Sequence, residues 1–475
     1  MKHAFRLSFC LLLAALMVAL CACGKDSQTP PTTAVTTPKD TGPATVDMRN
    51  TEDYEAILQY IEAHPDEIVL YDISLGQASY APDTTALTFT ADQTPYDDLL
   101  SNLKYLPQVA TLDLPETSLT AGQLDTLKQM YPNITVTYTV ALGDGVLTAD
   151  TTTLDLSWLT PDQVIPTAGK LALLPQLQEV QLMTAAGTSA LSLTDLKTLQ
   201  DACPEVLFLY SFELFGKTVS TADETIEYVN VEIGDEREDE IRQALDVLTR
   251  CTYFKLDRCD VSTPVMAGLR EDYPDKMIVW RIYLDHFNML TDEKILRLTH
   301  RLNDNNVGDL IYFTECTHLD IGHNEKLSDI SFVQYMTKLE CVILAGAPVS
   351  DISYFANCPN LVWLELCYCY PLKDLSPLAD HPTLKYLNVS FTQVRDLTPL
   401  ENVPLERFNC LGNKIPQADQ DMINAWHPES MNVFTGKQPF GYGWRYNDHG
   451  YTYFEYYANM RILFRYDDAS YYGNH

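Results

Sequence analysis

Apolar positions between about Cys316 and Ile415 return in blocks of 22 or 23 residues. Leu361-Val362-Trp363-Leu364-Glu365-Leu366 is followed by Leu372-Lys373-Asp374-Leu375-Ser376-Pro377-Leu378, and then Leu384-Lys385-Tyr386-Leu387-Asn388-Val389 by Val394-Arg395-Asp396-Leu397-Thr398-Pro399-Leu400. The short alternating block of each pair predicts one strand per turn, with leucines of successive turns stacked in the core. Equivalent aspartates stand at Asp329, Asp351, Asp374 and Asp396, spaced 22, 23 and 22. One further position, inside each turn, holds Asn324, Ala347, Cys369, Thr392 and Asn413. Asn, Cys and Thr there can satisfy backbone groups that the turn leaves unpaired, whereas Ala347 cannot. The pattern predicts about five regular turns.

The N-terminal half carries a longer, looser period. Helix-like segments end at His64-Pro65, Tyr131-Pro132, Cys203-Pro204 and Tyr273-Pro274, spaced 67, 72 and 70. A proline disfavours helix at the residue before it, so each pair reads as a helix stop. A β-rich run follows each one: Ile68-Val69-Leu70, Val136-Thr137-Tyr138, Leu207-Phe208-Leu209 and Ile278-Val279-Trp280. Asp83, Asp150, Asp223 or Asp292 comes 19 or 20 residues after the stop. A fifth stop, Trp426-His427-Pro428, lies beyond the regular turns. These spacings predict degenerate α/β repeats feeding the same array, with a separate α/β domain as the alternative.

The Asp-Ile/Leu-Ser/Thr-Pro-Leu element with its 22-residue period resembles the leucine-rich repeats of the bacterial internalin-type subclass, over roughly a quarter of the chain. The fold class expected is an α/β leucine-rich-repeat solenoid, with degenerate α/β repeats over 46–300 and regular turns over 301–415. An aromatic segment over 416–475 is expected to cap it, since an array of repeats must cover its last open turn. Phe434 to His475 hold 14 aromatics in 42 residues, against 11% aromatic residues in the whole chain. Stacking on sugars is the alternative use of those rings.

Residues around each Leu-x-Leu core should stand on an exposed concave face. They are His318, Asp320, Ile343, Trp363, Glu365, Tyr386, Asn388, Arg407 and Asn409. Trp363, Tyr386 and Arg407 would run diagonally across successive turns, and such residue types dominate protein-binding hot spots. The resemblance implies recognition of a protein or ligand on this face.

The N-terminus adds a location. Lys2 and Arg6 precede an apolar run from Phe9 to Leu20, too short to span a bilayer and of the length of a secretory signal. It closes on Leu20-Cys21-Ala22-Cys23, which resembles a bacterial lipobox with Cys23 as the lipidated residue. Residues 1–22 then form the signal peptide and 23–45 a Thr/Pro-rich tether, holding the protein by its lipid on the extracytoplasmic face of the membrane. Lys plus Arg 32 against Asp plus Glu 65, a net charge of −33, repels phosphate backbones, so no nucleic-acid partner is expected. An unidentified protein or surface polymer is the expected partner.

Beyond Cys23, nine cysteines between Cys203 and Cys410 show no framework or zinc spacing; most read as small core residues, with one or two disulfides of unassigned pairing as the alternative. His318, Asp320 and His323 come nearest to a metal-ligand set, but no metal or cofactor is expected. No Gly-rich phosphate loop, nucleophile elbow or H-E-x-x-H occurs, so no enzymatic activity is expected. A glycan-binding or glycan-acting role for the aromatic segment, and a non-binding spacer, are the rival readings.

Overall fold

The computed structural model describes residues 43–447 and 452–468. The signal segment, Cys23 and nearly all of the tether lie outside the described residues. The chain divides into two compact units, 1–85 with 97–109 and 86–96 with 110–475.

In the first unit, strand Thr45–Asp47 pairs in parallel with Ile68–Leu70. Helix Tyr54–Ala63 joins them and buries Tyr54 and Ile57. Its first turn is capped by the Asp53 carboxylate, which accepts from the Ala56 N–H at 3.0 Å. A hairpin of Ile73–Leu75 and Ala78–Tyr80 turns at Gly76 in the left-handed region (φ 64°).

The second unit begins with three parallel sheets. Ala86–Thr88, Thr111–Leu114 and Thr135–Leu142 make one. Thr153–Asp155, Glu179–Gln181 and Leu207–Leu209 make the next, and Thr225–Val229, Tyr253–Asp257 and Met277–Leu284 the third. An antiparallel hairpin follows or extends the last strand of each. The 70-residue period is therefore a pair of β–α steps closed by a hairpin. The helix stops fall where the prolines put them. His64, Tyr131, Cys203, Tyr273 and His427 are the C-caps of Tyr54–Ala63, Ala121–Met130, Leu193–Ala202, Thr263–Asp272 and Gln417–Trp426.

From Ile295 the sheet becomes one seven-stranded parallel ladder: Ile295–Arg297, His318–Asp320, Cys341–Ile343, Trp363–Glu365, Tyr386–Asn388, Arg407–Asn409 and Met431–Val433. The middle residues Leu296, Leu319, Val342, Leu364, Leu387 and Phe408 are in register and buried. Opposite the strands run short 3-10 turns, among them Ser331–Tyr335, Ser353–Asn357, Ser376–Leu378 and Thr398–Leu400. The periodic aspartates start them. Asp329, Asp351, Asp374 and Asp396 each accept the N–H two residues on, at 2.8 to 2.9 Å. The backbone bond holds the Asp351 carboxyl below the usual carboxylate range, and the Thr398 hydroxyl together with its backbone N–H does so for Asp396.

Side chains inside the turns do what their types allow. Asn324 donates to the Leu298 and Ile321 carbonyls at 2.9 and 2.8 Å and accepts from the Leu302 N–H at 2.8 Å. Asn413 bridges Val389 and Thr392 in the same manner. The Cys369 thiol donates to Leu344 O at 3.4 Å, while Ala347 is held by its backbone N–H alone. A single apolar core runs from Leu214 through the ladder to Ile423, so the third α/β sheet and the regular turns share one interior. Helix Gln417–Trp426 closes the last turn by inserting Ile423. All nine described cysteines are buried and unpaired with one another.

Replacing Asn324 with Ala strands the Leu302 N–H and two carbonyls in the interior. The expected loss is about 3 kcal/mol in urea-unfolding free energy. A loss below about 1 kcal/mol would mean that the turn does not depend on this side chain.

Candidate functional site

The pleat sends the first and third residue of every ladder strand away from the core. In register, these make two columns. Ile295, His318, Cys341, Trp363, Tyr386, Arg407 and Met431 form one, and Arg297, Asp320, Ile343, Glu365, Asn388, Asn409 and Val433 the other. All nine residues expected on the concave face are in these columns. Their expected exposure is not what the structure shows. His318 is half-buried and the other eight are buried, with Trp363, Glu365, Asn388 and Asn409 at 0% exposure. Nor do Trp363, Tyr386 and Arg407 form a diagonal, because direct register sets them in one straight row.

The cause is the C-terminal segment. Its first part, helix Gln417–Trp426 and strand Met431–Val433, closes the end of the array as expected, and the aromatic part beyond Val433 goes further. It turns back across the sheet and includes helix Glu455–Leu463. Trp444, Tyr457, Met460 and Phe464 build a second apolar core with Cys341, Ile343, Trp363 and Tyr386. The Trp363 ring meets Trp444 at 4.1 Å, Tyr456 at 5.7 Å and Tyr457 at 6.0 Å. Close approach at the last strand requires Gly443, whose φ is +82° and whose Cβ would stand 2.4 Å from a Val433 methyl.

Polar contacts fix the register of this segment. Trp444 Nε1 donates to Glu365 Oε2 at 2.5 Å, and Arg445 Nη2 donates to Oε1 at 2.6 Å. Burial works against the Arg445 charge, but the Glu365 carboxylate more than offsets it, and the guanidinium is held charged well above its usual range. Asn388 donates to Pro439 O at 3.0 Å. Arg407 donates to Asn447 Oδ1 at 2.5 Å and lies 3.7 Å from the Phe454 ring centre. Within the ladder itself, the Tyr386 hydroxyl donates a hydrogen bond to the Glu406 carboxylate at 2.7 Å. At the other end, Tyr466 donates to Asp320 Oδ2 at 2.5 Å and Arg297 donates to the Phe464 and Arg465 carbonyls. Burial raises the Asp320 carboxyl above its ordinary value despite that bond. His318 is lowered by burial.

One parallel strand per turn, in-register leucines behind it and Asn, Cys or Thr bonding inside the turns decide the fold. It is a leucine-rich-repeat solenoid. No family model matches the chain. The curated acidic leucine-rich nuclear phosphoprotein 32 family member A of Drosophila melanogaster is 31% identical over 97 residues, 20% of this chain and 36% of that protein. The match thus spans about a third of the relative's length. Among solved structures, an internalin (inlF) of Listeria monocytogenes is similar at 17% identity and a TM-score of 0.29, covering 83% of this chain and 92% of its own. A leucine-rich-repeat protein of Leptospira interrogans shows 12% identity and a TM-score of 0.24, covering 70% and 91%. The solenoid assignment rests on the ladder itself.

Cavities border the segment that lies on the solenoid, two of them walled in part by Arg445. One of about 290 Å³ is lined by Arg297, His300, Asp320, His323, Arg445, Tyr457, Arg461 and Tyr466, with Thr299, Gly322, Ile343 and Ala345. The other, of about 450 Å³, has Tyr368, Lys437, Gln438, Phe440, Tyr446 and Tyr457 in its wall. Sequence reasoning missed Trp444, Arg445 and Tyr466 as partners of the ladder. The density of aromatics pointed to a packed segment, but nothing along the chain marked which surface it would meet. Among the described residues, no group of three or more His, Cys, Asp or Glu is placed to hold a metal ion.

Three outcomes follow. Trp363→Ala should destabilise by about 3–5 kcal/mol, as for a large core side chain, and Glu365→Gln by about 3 kcal/mol through the stranded Arg445. Denaturant unfolding checks both, and near-wild-type stability would mean that the segment is loosely held. Asp320 has a folded pKa above its unfolded value, so its contribution to stability is largest below about pH 3.9 and falls as pH rises through the folded value. Asp320→Asn should therefore gain on the wild type across that window, read from urea midpoints at stepped pH.

Proposed function

We propose that this protein is an extracytoplasmic lipoprotein, anchored through Cys23, whose solenoid recognises a protein partner at the cell surface. Support for the anchor is the charged, apolar and lipobox-like order of Lys2 to Cys23. For recognition, the supporting observation is a set of aromatic rings left uncovered beside the filled concave face. Tyr370 is 63% exposed and Tyr442 42% exposed. Tyr370 lies 6.1 Å from Tyr368, which stacks on Phe391 at 5.0 Å and meets Phe440 at 6.1 Å. Rings already held by packing lose little freedom on binding, and such residues carry most of the energy in protein interfaces. Because the C-terminal segment lies on the sheet, this rim takes over the role that the sequence assigned to the bare concave face.

Glycan binding is the second reading, and the 450 Å³ cavity favours it. Tyr and Phe rings stand there beside the polar Lys437 and Gln438, a pairing suited to stacking a sugar and bonding its hydroxyls.

Cys23→Ala should move the protein from the membrane fraction to the soluble fraction; persistent membrane association would overturn the lipid anchor. Tyr370→Ala combined with Tyr442→Ala should abolish capture of an envelope protein at unchanged thermal stability. Full capture by that variant would remove the rim from the reading, and capture of glycans in its place would favour the cavity.

A further inference from the structure

The 290 Å³ cavity reverses the charge balance of the chain. Acids outnumber Lys and Arg by 65 to 32 overall, yet the cavity wall holds three arginines and two histidines against one carboxylate, Asp320. Both oxygens of that carboxylate are engaged by protein donors, Oδ2 by the Tyr466 hydroxyl and Oδ1 by the Gly322 N–H at 3.1 Å.

The guanidinium groups are held by aromatic faces. Arg297 lies 4.7 Å from the Tyr466 ring centre, Arg445 4.9 Å from Tyr457 and Arg461 4.6 Å from Tyr453. Stacking of this kind fixes a planar fork through its face and leaves the N–H groups along its edge for an acceptor. Arg445 is engaged by a protein acceptor on one nitrogen. Its Nη2 meets Glu365, but its Nε is buried with no acceptor among the described residues. The charge of Arg461 is met by Asp467, an exposed side chain outside the cavity wall. Across the cavity, the His300 and His323 rings stack at 4.9 Å and 9°. Both sit at positive φ, 69° and 61°, so the backbone itself sets the paired rings in the wall.

We propose that this cavity binds a small solute through an oxyanion, with Arg445 and Arg461 as the charged contacts and the His300–His323 pair completing the wall. At about 30 Å³ per water the space holds roughly ten waters, which suits a solute of the size of a sugar acid. Guanidinium forks match carboxylate and phosphate alike, so both sources share one chemistry. The site is independent of the lipid anchor and of the aromatic rim.

The test is isothermal titration calorimetry on the full chain with glucuronate, with inorganic phosphate and with neutral glucose. Saturable binding of either anion without binding of glucose is the expected result, and the preferred anion identifies the source as carboxylate or phosphate. Arg461→Gln should weaken it about tenfold, the scale of one charge-assisted contact. Because Arg461 also packs on rings, the second variant is His300→Asn with His323→Asn. Asparagine tolerates the left-handed backbone, both histidines are exposed, and the fold should survive while affinity falls several-fold. No saturable binding of either anion, equal binding of glucose, or undiminished affinity in both variants would overturn the site.

Discussion

A carboxylate with no access to water organises this surface. Glu365 stands in the middle strand of a seven-stranded ladder at 0% exposure. An isolated buried charge of this kind is prohibitive, and it is tolerated only with a partner in good geometry. Trp444 and Arg445 supply that partner, one to each oxygen. They are adjacent in sequence, so satisfying Glu365 also dictates where the C-terminal segment crosses the sheet. Every other contact of the segment, from Asn388 with Pro439 to Asp320 with Tyr466, is consistent with that one register.

The consequence is a solenoid with two cores. One lies between strands and 3-10 turns and follows from the repeat. The second lies between the strands and the aromatic segment, and uses the opposite face of the same residues' strands. A sheet covered on both faces reads as near-continuous apolar runs. Leu361-Val362-Trp363-Leu364 and Cys341-Val342-Ile343-Leu344 have that character. Trp363, Ile343 and Cys341 on the outward positions mark a face that is not open to solvent.

Filling the concave face leaves exposed rings and an arginine-lined cavity at its margins. The rings of Tyr368, Tyr370 and Phe440 line one border, and the arginine-lined cavity opens at the other end, near the first two ladder strands. Both borrow rigidity from the segment that excludes ligands from the sheet itself. Arg445 belongs to each level of this arrangement, as a partner of buried Glu365 and as a wall of both cavities.

Much of the ladder was legible in the chain because its causes are local. The turn-starting aspartates, Asn324 and Asn413 inside the turns, and the helix-ending prolines act within their own or the neighbouring repeat, so the period records them directly. The degenerate repeats were legible for the same reason. The destination of the aromatic segment was not. Glu365 and Arg445 are 80 residues apart and Asp320 and Tyr466 are 146 apart, and no period connects them. An outward-facing residue looks the same in sequence whether water or another segment covers it. The sequence by itself determined the solenoid and its inward face. Only tertiary packing decided that the outward face would be a second interior, because pairing a buried charge depends on which distant residues meet it in space.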